Sequence, residues 1–237
     1  MRRLRFIQIN YLILPFLRIF YAPWYGKPLC VIGDTKTGKT EFYKYINEAL
    51  REKLEREHNG KYHATSVDQV TSSCMYIDDV RIAIKSTKDY GGADAYIDNW
   101  KALYQESDIC LYLMNGEELK AKDKNHINNI KDHLILLRLW RQRADEKHNQ
   151  VVKQGGKSRR KQHYIVITFC DKISDLSSKI PCFVADHQLL EPIDREYRAD
   201  MRVFLGSLGD DTQRRQLVKH IFEIVNDKYE SEGRTKG

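Results

Sequence analysis

Eight consecutive residues have the types and spacing to hold a phosphate. Gly33-Asp34-Thr35-Lys36-Thr37-Gly38-Lys39-Thr40 matches GxxxxGK[ST] in full, and Glu41 follows it. Gly33 and Gly38 let the backbone come close enough for its N–H groups to wrap an anion. Lys39 has the reach for β- and γ-phosphates, and the Thr40 hydroxyl suits Mg²⁺. Such a loop works only between a strand and a helix. Pro28 to Ile32 is a short apolar run that predicts the strand. Phe42, Tyr45, Ile46, Leu50 and Leu54 recur at spacings of three and four and predict the helix, whose positive N-terminus would face the anion.

Three later segments repeat the arrangement of an apolar run followed by polar residues. Arg81 to Thr87 alternates as a strand exposed on one face and leads into Asp89-Tyr90-Gly91-Gly92. Asp78-Asp79 is a turn that lets Met75-Tyr76-Ile77 pair with it as a hairpin. Tyr96, Trp100 and Tyr104 space out as a helix, and Ile109 to Met114 is an apolar strand ending at Asn115. Tyr164 to Ile167 precedes Thr168-Phe169-Cys170-Asp171. Met201 to Leu205 precedes Gly206-Ser207-Leu208, and a helix from Thr212 places Leu217, Ile221, Phe222 and Val225 inward. Ligands gather at the carboxyl ends of parallel strands in such chains. The expected fold class is α/β, with a mostly parallel central sheet and helices on both faces.

In this order the elements resemble those of the Ras/Arf-like small GTPases, in the translation-factor-related class of P-loop proteins, over about residues 28–228. Asp89-x-x-Gly92 looks like the DxxG element and its Gly-Gly pair is closest to the Arf-like form. Thr168 to Asp171 stands where the family has [NT]KxD, and Gly206-Ser207-Leu208 where it has its base-contacting loop. The resemblance implies the P-loop GTPase fold, GTP/GDP with Mg²⁺ as ligands, and a divergent member of prokaryotic type. It implies that Asp89 serves the metal through water, that the Gly92 N–H meets the γ-phosphate, and that Asp171 pairs with guanine N–H donors. Thr168, Ser207 and Leu208 would complete the base site. The switch threonine that senses metal and γ-phosphate is Thr71 or Thr65, with Thr71 preferred and Ser66 a third candidate.

Two departures matter. Phe169 replaces the Lys that covers the base, which loosens guanine specificity. Ala93 occupies the position of the water-orienting Gln, and no arginine finger is assignable, so hydrolysis should be slow. Asp94, one residue away, either takes over that role or begins the next helix. The expected function is a GTP-binding switch with slow Mg²⁺-dependent hydrolysis that signals to a protein effector or activating partner. The alternatives are a nucleotide-binding adaptor with little hydrolysis, or a small-molecule P-loop kinase using Arg159 or Arg160 in a lid.

The rest of the chain bounds this reading. The 237 residues are 41% hydrophobic and 31% charged, enough for a core and too polar for a membrane bundle. Five cysteines show no CxxC spacing, which speaks for a reducing, cytoplasmic setting. The net charge of +7 most simply reflects a solvated surface, and nucleic acid is not the expected partner. Residues 1–27 form a basic and apolar arm. Residues 1–25 either lie in a membrane interface, Arg2, Arg3 and Arg5 meeting anionic headgroups, or pack on protein. The nucleotide domain is expected over 28–230. Glu118 to Glu146 reads as one long helix with Trp140 in the core, and insertions are expected around 147–162, as an exposed basic loop, and 174–197. A disordered tail covers 231–237.

Overall fold

The computed structural model describes residues 26–47 and 67–234, apart from 93, 157, 177–178, 186, 194 and 199–200. The fold is α/β. Five strands form the central sheet: β1 (Leu29–Gly33), β6 (Ile109–Asn115), β7 (Gln162–Thr168), β9 (Arg202–Leu205) and β8 (Cys182–Val184), in the spatial order β1-β6-β7-β9-β8. The first four are parallel and β8 is antiparallel to β9. Every residue of β1 and β6 is buried, as continuous apolar runs in a sheet covered on both faces must be.

Alternation along the strands divides the core. Leu29, Val31, Leu111, Val166 and Phe204 point to one face, where α1 (Lys39–Ile46) and α6 (Asp211–Arg234) pack through Phe42, Ile46, Leu217 and Phe222. Cys30, Ile32, Tyr112, Ile165 and Val203 point to the other face. There α2 (Ile97–Glu106), α3 (Gly116–Lys120) and α4 (Lys124–Lys153) cover them with Trp100, Leu119, Ile130, Leu134 and Trp140. Burial of Trp140 agrees with the core reading of that residue.

The hairpin extends further than its turn suggested. β2 (Val67–Val70) pairs with β5 (Thr87–Tyr90), and β3 (Ser73–Ile77) with β4 (Val80–Ile84), both antiparallel. One register runs from Val67 opposite Tyr90 to Ile77 opposite Val80, so the two ladders are one hairpin interrupted at 71–72 and 85–86. It lies beside β1, with Lys27 bridged in parallel to Ile84. Ile82, Ala83 and Ile84 are all buried, so the expected exposed face along Arg81 to Thr87 is corrected: β4 is covered up to its bridge with Lys27 at Ile84, and the strand then breaks at Lys85 and Ser86.

Other boundaries also differ from expectation. The stretch from Glu118 is two helices rather than one, because Lys122 adopts φ 56° and Asp123 caps α4 by accepting from the His126 N–H at 2.9 Å. Residues 147–153 continue α4, so the insertion around 147–162 is a loop only beyond Lys153. The 174–197 insertion supplies β8 to the sheet edge and then the short α5 (Arg195–Arg198). Residues 231–234 are helical, which shortens the expected disordered tail. All five cysteines are free thiols. Among the described residues no helix is long and apolar enough to cross a membrane. The arm at 1–25, with Leu50, Leu54, Thr65, Ser66 and Ala93, lies outside the described residues.

Candidate functional site

The phosphate loop closes between the end of β1 and the start of α1. Gly38 sits at the helix N-cap with φ 89°, a left-handed conformation natural to glycine, and no side chain caps the helix. The first amides of α1 are therefore left for another acceptor. Leu208 fills the far side, since a Cβ on Gly38 would come within 2.8 Å of its Cδ1. Thr37 is fully buried and its hydroxyl donates to Asp34 O at 2.9 Å, which tightens the loop.

Lys39 lies inside the loop. Its Nζ donates to Gly33 O at 3.0 Å and Asp34 O at 2.6 Å. Burial lowers its pKa to about 8, opposed by the negative charges of Asp89 and Asp34. Thr35 and Lys36 are exposed at the loop tip, and Glu41 pairs with Lys44 at 2.7 Å along its own helix.

Asp89 comes from the end of β5 and is completely buried. Its Oδ2 accepts from the Thr40 hydroxyl at 2.7 Å, while its Oδ1 is buried with no hydrogen-bond partner. Burial raises its pKa to about 6, against the pull of Thr40 and Lys39. A hydroxyl and a buried carboxylate with an idle oxygen are the hard donors that Mg²⁺ selects, so this pair fits the ion. Gly92 presses on the loop itself: a Cβ there would lie 2.1 Å from Thr35 N. The Trp100 indole N–H donates to Gly91 O at 3.2 Å and anchors the turn.

The third and fourth segments reach the same rim. The Thr168 hydroxyl lies 2.9 Å from Thr37 O and 3.0 Å from Met114 O, and its single proton serves one of them at a time. It ties β7 to both the phosphate loop and β6. Phe169 has φ 57° with the Lys172 ammonium 5.1 Å from its ring centre. Cys170 N–H donates to Gly206 O, and Gly206 N–H to Ile167 O, which fastens the two outer loops together. The Asp171 carboxylate faces the turn after Ser207, where a Cβ on Gly209 would lie 3.5 Å from its Oδ2 and 3.3 Å from Ser207 Oγ. Asp171 Oδ1 is buried and accepts from no group.

The structure thus gathers the phosphate loop, Asp89, Gly92, Thr168, Asp171, Ser207 and Leu208 at the carboxyl ends of β1, β5, β6, β7 and β9. It does not bring Thr71 there. Asn47 Nδ2 donates to Thr71 O at 2.6 Å and lies 3.2 Å from Thr71 Oγ1. Asn47 caps the C-terminus of α1, seven residues and about 10 Å of helix from Thr40. The structure therefore does not bring Thr71, expected as a metal and catalytic ligand, to Thr40 and Asp89. Thr65 lies outside the described residues.

Several supporting residues carry no signal in the sequence. Asn129 Nδ2 donates to Asp34 Oδ2 at 3.0 Å, and His126 Nδ1 lies 3.5 Å from the same oxygen and 3.0 Å from Glu118 Oε2. Burial pushes the Asp34 carboxyl up, but His126, Asn129 and the Thr35 N–H outweigh it and hold it well below the ordinary range. Arg214 from α6 donates twice to Leu208 O, at 2.9 and 3.1 Å. Only the shared face of His126 and Asn129, three apart on a helix, is visible without the fold. No protein-family model matches the chain, and no curated protein matches it either.

Proposed function

We propose that the protein is a GTP-binding molecular switch of the P-loop GTPase fold, hydrolysing GTP slowly and reporting nucleotide state to a protein partner. The observation that supports this most is the convergence of four separate chain segments on one rim, each with a different part of a nucleotide to meet. The loop amides and Lys39 suit phosphates. Thr40 and Asp89 suit Mg²⁺, which when bound would neutralise phosphate charge. The idle Asp171 oxygen suits the N–H donors of a guanine edge. Gly92, packed on Thr35, gives the segment after β5 a direct contact with the phosphate loop, and such a contact lets a γ-phosphate move that segment.

The kinase reading loses its lid. Arg159 lies 3.9 Å from Asp108, and Arg160 pairs with Asp145 at 3.0 Å. Both are at the opposite end of the sheet, about 20 Å away along β6. The adaptor reading keeps the same nucleotide site and differs in turnover. Isothermal titration with GTP, GDP, ATP and ADP tests the proposal: guanine nucleotides should bind at least about tenfold tighter. Preference for ATP would defeat it, and guanine binding with no turnover, alone or with added partner extracts, would favour the adaptor.

A further inference from the structure

A cavity of about 460 Å³ opens at the other end of the sheet, before β6 and β7 and between the ends of α2 and α4. This volume lies within the range of small-molecule sites, roughly 300–1,000 Å³. Five cations line it: Lys101, Arg143, Lys147, Arg159 and Lys161. Asp108 is the single acid among its lining residues, and it is held by Arg159. Trp140, Ala144 and Val151 give it an apolar side.

Two of the cations have internal roles and three do not. Lys161 Nζ donates to the carbonyls of Tyr104 at 2.8 Å, Gln105 at 3.0 Å and Ser107, which neutralises the C-terminal end of α2. Burial lowers its pKa, and the nearby Lys147 adds to that. Lys101, Arg143 and Lys147 pair with no acid among the described residues. Arg143 and Lys147 are four apart on α4, a spacing that sets like charges side by side at a cost to the helix. His148 Nδ1, in the same wall, is buried with no partner. An ordinary solvated surface intersperses both signs; this cavity concentrates one sign around an apolar patch.

We infer that this cavity is a second binding site, for a small molecule that carries two or more phosphate groups. A single phosphate answers only part of the charge, because the three unpaired cations come from both α2 and α4 and line one open cavity. Arg143 offers a planar fork for phosphate oxygens, and Lys101 and Lys147 act as point charges. The apolar side lets the remainder of the ligand lie against Trp140.

The test is a titration of the full chain with inorganic pyrophosphate, read by tryptophan fluorescence. A saturable change should appear, and Trp140→Phe should remove it. Arg143→Glu combined with Lys147→Glu should weaken binding by about tenfold or more, as loss of two charge-assisted contacts does. Both residues are exposed, so the double variant should keep its thermal midpoint and its nucleotide binding. Lys39→Ala, which alters the phosphate loop, should leave the fluorescence titration unchanged. The inference is overturned if the double variant binds pyrophosphate like the parent, if only Lys39→Ala abolishes the signal, or if millimolar pyrophosphate gives none. A signal obtained with anionic phospholipid vesicles but not with pyrophosphate would assign the charges to a lipid surface and overturn it as well.

Discussion

The two ends of the central sheet are built on opposite electrostatic plans. At the carboxyl ends of the strands the buried Lys39 already has carbonyl oxygens around it, and the idle atoms are acceptors: Asp89 Oδ1 and Asp171 Oδ1. Acceptors of this kind suit the cation and the N–H donors proposed for that rim. At the amino ends Lys101, Arg143 and Lys147 crowd one cavity with no acid to meet them. Charge of that sign suits the anion inferred for that end. A phosphate proposed for either end would meet different physics. The loop at Gly33 to Thr40 would enclose it with backbone amides, whereas the basic cavity would offer side-chain charge and tolerate variety.

Lys39 separates the two ends most sharply. Replacing it with Ala should cost nucleotide affinity about a hundredfold, roughly 3 kcal/mol, since a buried charged partner is lost. The same change should leave pyrophosphate binding at the basic cavity intact, which titration of each site can show.

Asp89 gives the next largest effect, through pH. Its carboxyl is raised from 3.8 to about 6 by burial, so the metal-free fold holds this proton more tightly than the unfolded chain does. The stability it contributes is full below about pH 4 and is lost as pH rises through about 6. Denaturant melts of metal-free protein should show that loss, and Asp89→Asn should flatten it. Mg²⁺ should stabilise the nucleotide-bound protein strongly above about pH 6 and progressively less below it. An equal Mg²⁺ effect at pH 5 and pH 8 would remove Asp89 from the metal site.

Gly92→Ala tests the contact between the segment after β5 and the loop after β1. The added methyl meets Thr35 N and Asp34 at distances no relaxation of a side chain can relieve, so the thermal midpoint should fall by about 5 °C. Thr168→Val removes one hydroxyl tie worth about 1 kcal/mol and should weaken nucleotide binding about fivefold. Thr71→Ala should be the smallest, within about twofold in Mg²⁺-dependent affinity, because Thr71 answers Asn47 at the far end of α1. A loss as large as that from Lys39→Ala would restore Thr71 to the site.

The strands were legible because their runs are continuous and both faces are covered, so Cys30 to Ile32, Ile109 to Met114 and Tyr164 to Ile167 needed no partner to be recognised. The short polar motifs at their ends were legible for the same local reason. The hairpin turn at Asp78-Asp79 was local too, but its length was not. Antiparallel pairing out to Val67 and Tyr90 depends on a register set across the turn and on the bridge that holds Ile84 beside Lys27. The boundaries of α4 were missed because its start depends on one left-handed residue, Lys122, and its polar C-terminal turns look like loop. The basic run from Lys157 to Lys161 looked like solvated charge. Lys161 instead caps α2, and Arg159 and Arg160 find acids at Asp108 and Asp145.

What the sequence determined by itself is therefore everything carried by contacts within a few residues: strand, loop, helix, and the type of atom each motif presents. Tertiary structure decided which of those atoms meet. Thr168 reaches Thr37 across 131 positions, Asn129 reaches Asp34 across 95, and Thr71 is drawn to Asn47 and away from the phosphate loop. Partners so distant are chosen by how the two faces of the sheet pack and by which buried polar atoms must be satisfied. No local pattern encodes that choice, and the basic cavity exists only because α2, α4 and the approach to β7 are brought to one end of the sheet.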